Sequence, residues 1–150
     1  MRINIRVAAI IFKDGKLVTT KMRKRGKVYY VLPGGGVEGD ETIYEGLKRE
    51  LEEELNIGII DPRLIYIKEF HLEETGRILE FYFHVTDYVG KIKKGFDPEE
   101  KESVFEEVSL LDFSELSEVI FYPKQLIKTL ESDMNEGFLE VKYLGLQKEL

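Results

Sequence analysis

Between residues 33 and 55 the chain passes from Pro33-Gly34-Gly35-Gly36 into an unbroken helical pattern, and this junction restricts the available folds more than any other stretch. Proline fixes its own φ and lacks a backbone donor, and three glycines in a row cannot continue regular structure. The β-prone run Val28 to Leu32 therefore stops at Pro33. From Glu41 to Leu55 the apolar residues Ile43, Leu47, Leu51 and Leu55 recur every four positions, which predicts an amphipathic helix. Asp40 is the expected N-cap, and Asn56 suits the left-handed turn that ends many helices. A glycine-rich turn thus leads into a helix that must bury one face.

The remaining pattern supplies what that face can pack against. Ile3 to Phe12 and Lys16 to Met22 read as strands joined through the turn signal Asp14-Gly15. Arg2 and Arg6 interrupt the apolar start, which reads as a strand rather than a signal peptide. Ile59 to Pro62 reads as a connection. Leu64 to Leu72 and Arg77 to Tyr88 read as strands joined by a turn at Glu73 to Gly76, and Gly90 to Glu102 as a polar loop. Val104 to Leu111 is a further strand, Phe113 to Val119 a short helix, Pro123 to about Met134 a helix, and Phe138 to Leu144 a final strand. This order predicts an α/β fold, a mixed sheet covered by helices, within a single domain spanning 1–150. A chain of 150 residues can bury roughly 70% of the surface that its unfolded form exposes, so it needs no staple. It has no cysteine, which excludes disulfides, thiolate metal sites and a cysteine nucleophile. With 22 Lys+Arg against 29 Asp+Glu its formal charge is −7, which argues against broad binding to nucleic acid or anionic lipid. No apolar run approaches the ~20 residues of a membrane helix, and a cytoplasmic protein is expected.

The helix carries the chemistry. Glu50 lies three residues before Glu53 and four before Glu54, so the three carboxylates share one face. In isolation such a face is an ordinary solvated acidic surface. Carboxylates converging at a partly buried site instead need a cation, and hard oxygen ligands select Mg²⁺, Mn²⁺ or Ca²⁺ over zinc. The preceding glycines let main-chain groups approach a metal or phosphate closely.

The spacing Gly35-x5-Glu41-x7-Arg49-Glu50-Leu51-x-Glu53-Glu54-x-Asn56-Ile57 resembles the Nudix box of the Nudix hydrolases. Every fixed position of the box matches except its last glycine, which is Asn56 here. The resemblance implies an α/β/α sandwich and metal-dependent hydrolysis of a nucleoside diphosphate linked to another group. It implies Mg²⁺, with Mn²⁺ as an alternative, held by Glu50, Glu53, Glu54 and the carbonyl of Gly34. It implies that Arg49 orients a box carboxylate, that Glu41 supports the loop, and that a Glu acts as base. Glu50, Glu53 and Arg49 are accordingly the catalytic candidates in the box. Glu102, in the loop before the Val104 strand, is the candidate outside it; the bland reading of Asp97 to Glu102 is a solvated loop.

Around the box, Lys21, Arg23, Arg25 and Lys27 read equally as solvated charges or as phosphate contacts; Arg23 and Arg25 are taken as substrate-binding candidates. Gly35 joins them through its backbone. Of Tyr29 and Tyr30, one is expected to face the core and the other to stack on a base, with Tyr30 as the candidate. Arg6, set among apolar strand residues, is either a ligand contact or an edge residue. His71 and His84 read as packed or surface groups, and Phe81 to Phe83 as mostly core. Downstream markers that resemble those of ADP-ribose, dinucleoside polyphosphate and NADH hydrolases are absent. This favours a nucleoside triphosphate, unmodified or oxidised, cleaved to monophosphate and pyrophosphate. A nucleotide sugar or another nucleotide derivative, or a non-catalytic nucleotide-sensing module, stays open. The segment Phe138 to Leu146 is read either as closing the core or as the contact of a homodimer.

Overall fold

The computed structural model describes residues 2–74, 76–95 and 103–148. The chain begins with β1 (Ile3–Ile10), β2 (Phe12–Lys13), β3 (Lys16–Lys24), β4 (Lys27–Val31) and β5 (Gly34–Gly36), then α1 (Ile43–Leu55). There follow β6 (Gly58–Ile60), β7 (Arg63–Leu72), β8 (Gly76–His84) and β9 (Asp87–Val89). β10 (Ser103–Leu111), α2 (Phe113–Glu118), β11 (Phe121–Tyr122), α3 (Leu126–Glu136) and β12 (Lys142–Gln147) complete the order. The expected mixed β-structure with helices is present, but the strands divide between two sheets. One runs β12-β7-β8-β1-β5; the other runs β10-β3-β4-β11, with β2 alongside β3. β6 and β9 form a small separate pair.

β1 sits inside the first sheet, parallel to β8 and antiparallel to β5. Its second half, Val7 to Ile10, is buried and apolar on both faces, as a segment covered on both sides must be, whereas Ile3, Ile5 and Arg6 in its first half are exposed. Val7 and Ala9 pack with Leu47, Leu51 and Leu55 of α1, whereas Ala8 and Ile10 face a second core with Tyr66, Tyr82, Leu126 and Leu130. The stripe that defines the helix in the sequence is thus the stripe that docks it, and all three of those leucines are fully buried.

Several boundaries differ from the sequence reading. The hairpin at Asp14-Gly15 exists, with both residues at positive φ, but it joins β2 to β3; β1 leaves for the other sheet. The glycine run does form regular structure. β5 pairs Gly34 with Ala8, Gly35 with Val7 and Gly36 with Arg6. Glycine is required there by a neighbouring backbone, since a Cβ on Gly34 would lie 2.0 Å from the Val7 carbonyl oxygen. Thr42, not Asp40, caps α1: its Oγ1 accepts from the Glu45 N–H, and Glu45 accepts from the Thr42 N–H, each at 3.0 Å. This reciprocal box satisfies two donors at once and starts the helix two residues late. Asn56 closes it at φ 60°, as read from the sequence. The stretch taken as a connection at Ile59 contributes to β6, and the last strand begins only at Lys142: Phe138, buried in the core, sits at φ 53°, outside strand conformation. Among the described residues no helix is long and apolar enough to cross a membrane.

Candidate active site

Because α1 starts at Ile43, Glu41 stands outside the helix and can reach back to it. Arg49 holds it through two bonds, Nε to Oε2 at 2.8 Å and Nη2 to Oε1 at 3.0 Å. The same guanidinium donates to the Gly36 carbonyl (3.0 Å), to Glu50 Oε1 (3.0 Å) and to Glu53 Oε2 (3.3 Å). A planar fork with five donors can make this set of contacts; an ammonium cannot. Arg49 therefore ties the loop, β5 and the helix together. Its pairing with Glu41 holds the guanidinium even more firmly charged than usual. The Arg49 bond, and then the Glu38 N–H, keep the Glu41 carboxyl below its ordinary range.

The glycines of β5 place backbone against the helix carboxylates. The Gly34 N–H donates to Glu54 Oε1 at 2.7 Å. A Cβ on Gly35 would lie 2.4 Å from Glu50 Oε1, so the missing side chain is what admits that carboxylate. Glu50 and Glu54 are buried, and Glu53 is about one-fifth exposed. The carboxylates share one face as expected, but among the described residues they are not gathered into a three-ligand metal cluster. Arg49 draws Glu50 and Glu53, while Gly34 draws Glu54. Their chemistry still fits a divalent cation: three hard carboxylates on one face, with a glycine cradle that brings main chain to them. At the C-terminal end of α1, Lys93 and Gly95 donate N–H bonds to the carbonyls of Leu55 (3.1 Å) and Glu54 (2.8 Å). Glu102, the candidate outside the box, lies beyond the described residues.

A cavity of about 320 Å³ opens beside Glu54 and Gly34, between the two sheets. Arg6, Ala8, Phe70 and Glu80 line it from the first sheet; Thr20, Met22, Tyr29 and Val31 line it from the second, and Tyr122 closes one side. Arg6 is therefore a mid-sheet residue facing the cavity, not an edge residue. Of the two tyrosines the structure puts Tyr29 in the cavity wall, while Tyr30, the one named from the sequence, packs against the core. The strand register decides this, since only alternate residues share a face. The basic candidates separate. Arg23 pairs with Glu106, and Lys21 lies 3.7 Å from the same carboxylate. Arg25, with Lys24 and Lys27, lines a second cleft of about 590 Å³ that shares Tyr29 and Tyr122 with the first. His84 packs on Phe138, ring centroids 4.6 Å apart, and burial pushes its pKa down; His71 is exposed.

Sequence reasoning did not single out Glu80, Phe70 or Tyr122. Glu80 carries a signal in hindsight, a lone acid at an alternate position in the apolar run Ile78 to Phe83. Its neighbour across the sheet is Arg6, whose Nε lies 3.6 Å away.

A glycine strand crossing to a carboxylate-bearing helix, tied by one arginine beside an inter-sheet cavity, defines a class of protein. The chain belongs to the NUDIX domain family, whose model matches residues 2–135. Members of this family generally need a divalent metal. The chain is 36% identical over 95 residues to an 8-oxo-dGTP diphosphatase of Buchnera aphidicola, which is 60% of this chain and 70% of that protein. It is 34% identical over 90 residues to a CTP pyrophosphohydrolase of Escherichia coli, 58% of this chain and 65% of that protein. The fold is similar to the crystal structure of a mutator MutT protein from Bacillus halodurans, with a TM-score of 0.72 and 23% identity; the match covers 96% of this chain and 89% of that one.

Proposed function

We propose that this chain is a pyrophosphohydrolase that cleaves a diphosphate bond of a nucleotide, with a nucleoside triphosphate as substrate and the monophosphate and pyrophosphate as products. One observation carries the reading: the box carboxylate Glu54 and the strand residue Gly34 form part of the wall of the inter-sheet cavity. A ligand seated there presents its phosphates to the helix and its base to Tyr29, Phe70 and Tyr122. The relatives that act on 8-oxo-dGTP and CTP support the same reading, and the matched segments span 70% and 65% of them.

Glu50, Glu53, Glu54 and the main chain at Gly34 would hold Mg²⁺. When bound, the ion supplies charge neutralisation at phosphate oxygens and acidity to water. Arg49 fixes the positions of Glu50 and Glu53, so that their charge is in place before the substrate arrives. Gly35 leaves Glu50 room to approach the phosphate-binding strand. Arg25 and its neighbours Lys24 and Lys27 provide positive charge at the far cleft. Glu50 or Glu102 accepts the proton of the attacking water. The test is product analysis by ³¹P NMR and chromatography with a panel of nucleoside triphosphates, nucleotide sugars and dinucleotides in Mg²⁺. Monophosphate with pyrophosphate supports the reading. Monophosphate with a sugar phosphate would move the substrate class, and no turnover of any compound would leave a binding module.

A further inference from the structure

The cavity is mostly apolar, and its polar groups are nearly all engaged. Thr20 donates to the Val31 carbonyl at 3.4 Å, the Tyr29 hydroxyl pairs with Ser103 Oγ at 2.8 Å, and Lys27 donates to the Tyr122 hydroxyl at 3.1 Å. Glu54 accepts from Gly34 at the phosphate end. Glu80 differs. Its side chain is 16% exposed, and its approach to Arg6 at 3.6 Å is an ion pair longer than a hydrogen bond. The buried Tyr82 hydroxyl stands beside the same carboxylate and, like Arg6, favours its charged form. A carboxylate offers about four acceptor sites, so Glu80, with Arg6 and Tyr82 beside it, still presents acceptor capacity to a cavity walled by aromatic rings.

We infer that Glu80 reads the base of the bound nucleotide and selects one offering two adjacent N–H donors, as the N1–H and exocyclic amine of a guanine-type ring do. An ionised carboxylate only accepts, through two oxygens side by side, so it matches that edge. Adenine and cytosine present a donor beside a ring acceptor and leave one Glu80 oxygen facing a lone pair. Burial pushes the Glu80 carboxyl up from its ordinary range, and Arg6 opposes this by favouring the charged form. The register across the sheet, Arg6 opposite Glu80, keeps that counter-charge at hand. This inference rests on the nucleotide site proposed above, but not on turnover.

The experiment is therefore a binding measurement. GMP, IMP, AMP and CMP are titrated calorimetrically into the wild-type protein and E80Q in chelator, with triphosphate hydrolysis run separately in Mg²⁺. The wild type is expected to hold GMP roughly ten- to a hundredfold more tightly than AMP or CMP, with IMP between them because it lacks the exocyclic amine. E80Q offers one acceptor and one donor, so it should lose the GMP preference and gain relative affinity for AMP or CMP. Glu80→Asp keeps the acceptor pair and should keep the preference at lower affinity, which guards against a folding defect in E80Q. Equal binding of the four monophosphates by the wild type, or a GMP preference that survives in E80Q, overturns the inference. A Glu80-dependent preference without hydrolysis of any triphosphate would sustain it and overturn the proposed activity instead.

Discussion

Removing Arg49 is the perturbation whose consequence the structure specifies most fully. Arg49→Ala deletes five donor contacts between 2.8 and 3.3 Å and leaves the buried Glu50 and the nearby Glu53 without the guanidinium between them. Breaking a buried ion pair from one side costs about 3–5 kcal/mol. Arg49 is 24% exposed and Glu41 22%, so water recovers part of the loss and the lower end of that range applies, about 3 kcal/mol. In urea this is a midpoint lower by roughly 1–2 M. Arg49→Lys keeps the charge but not the fork, and should recover less than half of the lost stability. Adding Mg²⁺ should raise the unfolding midpoint of Arg49→Ala more than that of the wild type, because the cation replaces the missing counter-charge. A loss below about 1 kcal/mol for Arg49→Ala, or full stability in Arg49→Lys, would refute the role given to the fork.

Other consequences follow from single contacts. Thr42→Ala should cost about 1 kcal/mol by chemical denaturation, the usual loss on removing an N-cap. Gly34→Ala should lower thermal stability severely, because its Cβ would have to occupy the space of the Val7 carbonyl; circular dichroism melting reads this directly. The Glu41 carboxyl is held below its ordinary 4.5, so its stabilisation is fully present above that pH and fades as pH falls through the lower folded-state value. A stability profile between pH 2 and 6 should show that slope in the wild type and a shallower one in Glu41→Gln. Asp133→Ala should cost about 2–3 kcal/mol in urea, since buried Asp133 accepts from Tyr66 and from Lys142, each at 2.6 Å.

The parts of the fold that were legible in the sequence are local. The four-residue stripe of α1, the αL end at Asn56, the turn at Asp14-Gly15 and the spacing of Arg49, Glu50, Glu53 and Glu54 all arise within one turn or one helix. The parts that were not legible depend on partners far away in the chain. Three glycines form a strand only because β1 offers them an edge. Thr42 displaces Asp40 as cap because its box with Glu45 satisfies two donors rather than one. Tyr29 rather than Tyr30 reaches the cavity because pairing with β3 fixes which face of β4 looks inward. Glu80 gains its meaning only when β8 is laid beside β1, more than seventy residues away in sequence, so that Arg6 stands opposite it.

In the proposed reaction the carboxylate face of α1, set against β5, drives metal-dependent cleavage of a nucleotide diphosphate bond. The most direct measurement is pyrophosphate release from nucleoside triphosphates by the wild type and Glu53→Gln, each with Mg²⁺ and with chelator, alongside melting curves. Release is expected to require the metal and to fall at least about a hundredfold in Glu53→Gln while the fold is retained. Release that persists in chelator, or a Glu53→Gln protein as active as the wild type, would contradict the proposed reaction.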